Sequence, residues 1–139
     1  MHRLALFLTI AAMTAVATRV EAQTGAQQKM VSRDEASSQL QIENLQTSSD
    51  GTASGTLHNT TQMVIKDVKL LVKHTWAWKD ERHPGDVSPG TSAFFTVPGP
   101  IPAGGSAPFS YKPNPALPDR TDGHFTTTVG IQEFSQVGE

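Results

Sequence analysis

Few side chains in this sequence are of types that could do chemistry. Beyond His2 there are four histidines, His58, His74, His83 and His124, with Met63 in the same stretch. Imidazole and thioether groups suit copper, so a metal site is one reading of them. Their spacing argues against it. No two of the four stand at i, i+2 or i, i+4, the separations that bring side chains to one face of a strand or helix. The run Asp80-Glu81-Arg82-His83, with Asp86, reads as a solvated loop, because a calcium loop needs more oxygen ligands at set offsets. Serine, histidine and aspartate all occur, but no Gly-x-Ser-x-Gly or comparable setting marks a serine nucleophile. The sequence has no cysteine, which excludes thiol nucleophiles, disulfides and cysteine-based zinc or iron–sulfur centres. No catalytic residue, cofactor or metal ligand is therefore assigned. Trp76 and Trp78 are the two candidate contact residues for a ligand or partner, since an indole face can stack on a sugar or a cation. The favoured reading of the same two rings is that they fill a sandwich core, continuing the apolar face of their strand.

The elements that must position these residues follow from periodicity. Val68, Leu70, Val72, His74, Trp76 and Trp78 occupy every second position, with Lys69, Leu71, Lys73, Thr75 and Ala77 between them. Successive strand side chains point to opposite faces, so this is a long strand with one apolar and one solvated side. Leu40 and Ile42 begin an earlier strand, and residues 52–59 a second one after the turn cluster Ser48-Ser49-Asp50-Gly51. Residues 93–97 and 107–111 are short strands. Phe125, Thr127, Val129 and Ile131 alternate in a last one. The stretches around Pro98–Gly105 and Pro113–Pro118 are irregular connections, because proline lacks an amide donor and glycine lacks a β-carbon. Asn59-Thr60-Thr61 matches a glycosylation sequon and is read instead as turn chemistry. Six or seven short strands with turn signals between them and no long helix make the fold all-β, an immunoglobulin-like antiparallel sandwich.

The first 22 residues read as a secretory signal peptide. Arg3 supplies the positive start, residues 4–16 run without a charge, and Val20-Glu21-Ala22 precedes the cut, with a cut after Ala17 as the alternative. The apolar run is shorter than the roughly 20 residues a membrane span needs, so no span is expected after cleavage. The destination is the periplasm or the exterior of a bacterial cell. Residues 23–38 are polar and read as a flexible leader. Ser32-Arg33-Asp34-Glu35 matches a helix capping box within it. Residues 39–139 form the sandwich domain. The formal net charge is −2, and no basic cluster favours nucleic acid.

Part of the sequence resembles a known family. Gly55-Thr56-Leu57-His58-Asn59-Thr60-Thr61 is similar to the opening motif of FxLYD-type domains, and Ile65-Lys66-Asp67-Val68-Lys69-Leu70-Leu71-Val72 to the strand that follows it. Trp76-Ala77-Trp78-Lys79-Asp80 falls at the naming motif, with Lys79 in place of its tyrosine. Residues 101–109 resemble the family's Pro/Gly turn and aromatic strand. The resemblance covers residues 53–111 and implies an immunoglobulin-like sandwich of an exported protein, without a common activity. The expected function is a non-catalytic exported module that binds a protein or a cell-envelope component. The alternative is an accessory or structural subunit of an envelope assembly, held by strand addition at an open edge. A periplasmic metal-binding protein or hydrolase is the third reading.

Overall fold

The computed structural model describes residues 27–82 and 85–138. The segment 1–22 expected as a signal peptide, residues 23–26 of the expected leader, His83 and Pro84 lie outside the described residues. In chain order the elements are β1 (Gln28–Ser32), α1 (Arg33–Gln39), β2 (Leu40–Thr47), β3 (Ala53–Asn59), β4 (Val64–Trp78), β5 (Thr91–Thr96), β6 (Ser106–Tyr111) and β7 (Gly123–Val137). The strands form two antiparallel sheets, ordered β1-β7-β4-β5 and β2-β3-β6. The protein is an all-β sandwich.

The strand order follows the immunoglobulin pattern. β2, β3 and β6 stand as its A, B and E strands, and β7, β4 and β5 as F, C and C′. The place of G beside F is taken by β1, the first strand. It pairs with β7 only from Ser32 opposite Glu133 to Gln28 opposite Val137.

The expected alternation sets the inner face of the larger sheet. Val68, Leu70 and Val72 are fully buried, and Leu40, Leu57, Phe109 and Phe134 meet them from the other elements. Each such side chain contributes roughly 1.5–3 kcal/mol on burial. The β4–β7 ladder slips twice, between Lys66 and Lys69 and again between Lys69 and Leu70, leaving Gln132 of β7 without a partner. Asp67 there has φ 53°. Because strand side chains alternate with period two, the slip reverses which parity faces inward. Ile65 is buried before it and Val68 after it, while on β7 the inward set changes from Val129 and Ile131 to Phe134.

Residues 28–38, expected as part of a flexible leader, are instead a strand and a short helix. The sandwich thus starts at β1 rather than at residue 39. β1 shows the burial of an edge strand: of its five residues only Val31 is buried. Its backbone is held by the ladder with β7, which no hydrophobic period reports. The capping-box position is a helix start, with Ser32 as N-cap, although the Ser32 side chain makes no capping hydrogen bond. Ala36 enters the core as α1 carries the chain from one sheet to the other.

Two turns fix the ends of the sandwich. Gly51, in the expected Ser48–Gly51 turn, has φ +85°, and a β-carbon there would lie 2.5 Å from Leu117 and 2.9 Å from the His74 ring. At the β3–β4 turn the Asn59 side chain is buried and bonds to the backbone of the turn itself, as the turn reading of Asn59-Thr60-Thr61 anticipates, and to that of residues 101–102. Its amide is unavailable as a glycosylation acceptor in the folded protein.

Candidate functional site

At the Asp50 end of the sandwich β4 delivers Trp76 to the core and Trp78 to its margin. Trp76 is 7% exposed and Trp78 is half-buried. The rings meet edge-on at 5.8 Å, and Phe125 of β7 packs on Trp76 at 4.6 Å. The Arg120 guanidinium lies 5.4 Å from the Trp76 ring and 5.3 Å from the Trp78 ring, and it is ion-paired with Asp122. Beside them is a cleft of 360 Å³ that also takes in Asp50, Asp119 and His124. Asp50 is engaged: it accepts the Thr52 N–H at 2.9 Å, and this bond holds its carboxyl below the usual range. Thus Trp76 fills core, and the protein's own arginine covers the indoles where a ligand's cation or sugar would stack.

The histidines are dispersed. His58 Nδ1 lies 3.0 Å from Ser106 Oγ, and His124 is exposed on β7. Among the described residues no three His, Asp or Glu side chains are grouped to hold a metal ion. Among the described histidines, His74 is the buried one. Its Nδ1 lies 2.9 Å from Thr127 Oγ1, its ring stacks on Tyr111 at 6.0 Å, and its Nε2 has no partner. Burial pushes its pKa below the ordinary value of about 6.5. The folded state therefore holds the ring neutral while the unfolded chain takes up a proton below that value. The stabilisation is complete above about pH 6.5 and is lost as pH falls through the lowered folded pKa. His74→Gln, which keeps a hydrogen-bonding group but does not titrate, should flatten this slope. Urea midpoints at neutral and mildly acid pH check it; an unchanged slope would exclude His74 as its source.

The second feature is an uncovered strand margin. β7 pairs with β4 along its whole length, from Gly123 opposite Trp78 to Val137 opposite Val64. On its other side β1 covers only Glu133 to Val137. Among the described residues no strand pairs with residues 123–132 there, and no turn or loop backbone bond reaches them. Burial changes at this boundary. Phe134, Ser135 and Gln136, beneath β1, are buried on both faces, whereas residues 124–131 alternate between exposed and half-buried. No family model, curated protein or solved structure matches the chain.

Two of the other edges of the sandwich are blunted. β6 carries Pro108, and β2 is broken by a register shift between Glu43 and Gln46 with Asn44 at φ 51°. β1 and β5, at five and six residues, offer shorter edges than residues 123–132. Natural sheets protect edges by such means: proline, bulges, charge and brevity. Residues 123–132 of β7, Gly-His-Phe-Thr-Thr-Thr-Val-Gly-Ile-Gln, contain no proline, lysine, arginine or carboxylate. Sequence reasoning identified this strand and its facing but not its open side. The signal was present in part: a β-branched, uncharged run is suited to pairing on both sides.

Proposed function

We propose that this protein is an exported, non-catalytic β-sandwich module that binds a partner protein of the cell envelope by taking an extended segment of it as an extra strand on β7. The observation that carries the reading is the uncovered margin over residues 123–132. Unpaired strand amides and carbonyls are a template for another chain, and an added strand gains main-chain hydrogen bonds for affinity and alternate side-chain pockets for specificity. Export rests on the sequence of residues 1–22, whose signal-peptide pattern supports the periplasm or the cell exterior as the destination. The resemblance of residues 53–111 to FxLYD-type domains supports the same assignment. The non-catalytic reading rests on the missing nucleophile setting and on a Trp cleft already occupied by Arg120. Among the described residues no helix is long and apolar enough to cross a membrane.

A peptide of about eight residues alternating Val and Ser, an ordinary strand length, is the probe. In the free protein, amides of residues 123–132 bonded to β4 exchange slowly, while those facing the open side exchange fast. Excess peptide is expected to slow the fast set only. No protection, or protection confined to β5 or β6, would overturn the reading.

A further inference from the structure

The open margin of β7 has two sides of different chemistry. On the inner side, between β7 and β2, lies a groove of 530 Å³ lined by Leu40, Ile42, Val129 and Ile131 together with Arg33 and Ser37 of α1, so that Arg33 borders both sides of the margin. On the outer side lies a hollow of 270 Å³ holding Leu71, Gly130 and two cations, Arg33 of α1 and Lys73 of β4. Gly130 leaves space over the margin: a β-carbon there would meet nothing within 4 Å. Neither Arg33 nor Lys73 makes an ion pair among the described residues. The carboxylates on α1, β2 and β7 do not pair with them. Glu133 pairs with Lys69, Glu35 pairs with Lys29 at 3.6 Å, and Asp34 and Glu43 are exposed to solvent.

Resting on the strand-addition reading, we propose that the segment β7 accepts alternates apolar with acidic residues, its apolar side chains entering the groove between β2 and β7 and its carboxylates meeting Arg33 and Lys73. The period of a strand requires this division. A strand laid beside β7 shares its pleat, so every second side chain goes to the inner groove and the others to the outer face. The inner positions meet the Leu40, Ile42, Val129 and Ile131 side chains, which reward an apolar residue there, with Arg33 bordering the groove as it does the outer hollow. The outer positions meet two cations whose pairing with carboxylates also steers encounter. β1 already occupies the same line next to residues 133–137, so the added strand extends an existing sheet position. A second copy of this chain fits less well as the occupant. Pairing β7 with β7 would bring residues 123–132 of the copy to this edge, and they contain no carboxylate for Arg33 or Lys73.

Three peptides of equal length separate the outcomes: alternating Val-Ser, Val-Glu and Val-Lys, titrated into the folded protein while amide exchange of residues 123–132 is followed. Two exposed ion pairs together are expected to give Val-Glu about tenfold tighter binding than Val-Lys at low salt. The difference should shrink at ~0.5 M salt, where charges are screened within a few ångströms. The double variant Arg33→Glu/Lys73→Glu, both at exposed positions, should reverse the order, with an unchanged melting temperature showing that the fold is intact. If all three peptides protect the edge equally, strand addition stands and the acidic partner is overturned. If none protects it, both are overturned. A concentration-dependent dimer whose edge amides are already protected would show a second copy to be the occupant and overturn the proposal.

Discussion

Leu70→Asp is expected to leave no folded domain in neutral buffer, whereas Lys69→Asp folds with a loss of about 1 kcal/mol. Leu70 is fully buried, at the centre of the larger sheet, opposite Phe95 on β5 and Ile131 on β7. Truncating a buried leucine to alanine alone costs about 2–5 kcal/mol. Aspartate adds a carboxyl group with no partner in an apolar layer, a further several kcal/mol whether the group stays charged or takes a proton. Domains of this size are stable by roughly 5–15 kcal/mol, so the sum reaches the whole of it. Lys69 is one position away and points to the other face. It is half-buried, ion-paired with Glu133, and its Nζ lies 6.0 Å from the exposed Phe94 ring. Replacing it loses an exposed pair and sets two carboxylates across the ladder, which is unfavourable but solvated. Circular dichroism with urea titration reads both variants; coincident unfolding midpoints would refute the assigned facing.

That contrast also marks how far the sequence alone reaches. The facing of β4 from Val68 to Trp76 was legible because burial follows a strict period of two over that stretch. The same period failed to reach residues 64–67 and 132–137, because the double slip in the β4–β7 ladder reverses the parity and bulges leave no compositional mark. β1 was illegible for another reason. One buried valine in five residues carries no period, and the strand exists because β7 offers it a ladder. The Trp cluster was legible as residues but not as a site. That Arg120, far along the chain, covers both indoles depends on how residues 113–122 return to β7. The open margin lies beyond sequence reasoning in the same way. Residues 123–132 read as a strand, but whether a strand has one neighbour or two is decided by the path of the rest of the chain. Here β1 turns into α1 after Ser32 and crosses to the other sheet instead of continuing along β7.

The Asn59 clasp supports the second large effect. Asn59 is fully buried. Its Nδ2 donates toward the carbonyls of Met63 at 2.8 Å, Pro102 at 3.0 Å and Ile101 at 3.1 Å. Its Oδ1 accepts from the Thr61 N–H at 2.9 Å and the Thr61 hydroxyl at 2.8 Å. The partners fix the orientation of the amide, since carbonyls only accept and a backbone N–H only donates. One side chain therefore ties the β3–β4 turn to residues 101–102, beside the bridge in which Ile101 and Ile65 exchange backbone hydrogen bonds of 2.8 and 2.9 Å. Asn59→Ala leaves the Thr61 N–H without its partner and takes one of two donors from each carbonyl, Ile101 keeping the Ile65 N–H, Pro102 the Gly105 N–H and Met63 the Thr61 hydroxyl, at about 1 kcal/mol for each bond lost. The Ile101 carbonyl is in a buried bond and the others are nearer the surface, so a total loss of about 3–4 kcal/mol is expected. Asn59→Asp should be worse, because it turns a carboxylate oxygen toward three carbonyls in a buried site. Thr61→Val, which removes only the hydroxyl, should cost about 1 kcal/mol. The three variants thus have a required order of stability, Thr61→Val above Asn59→Ala above Asn59→Asp. Faster amide exchange at Ile65 and Ile101 should appear in Asn59→Ala before global unfolding. An Asn59→Asp protein as stable as the wild type would mean that the amide donates nothing to those carbonyls and that the Ile65–Ile101 bridge holds the turn without it.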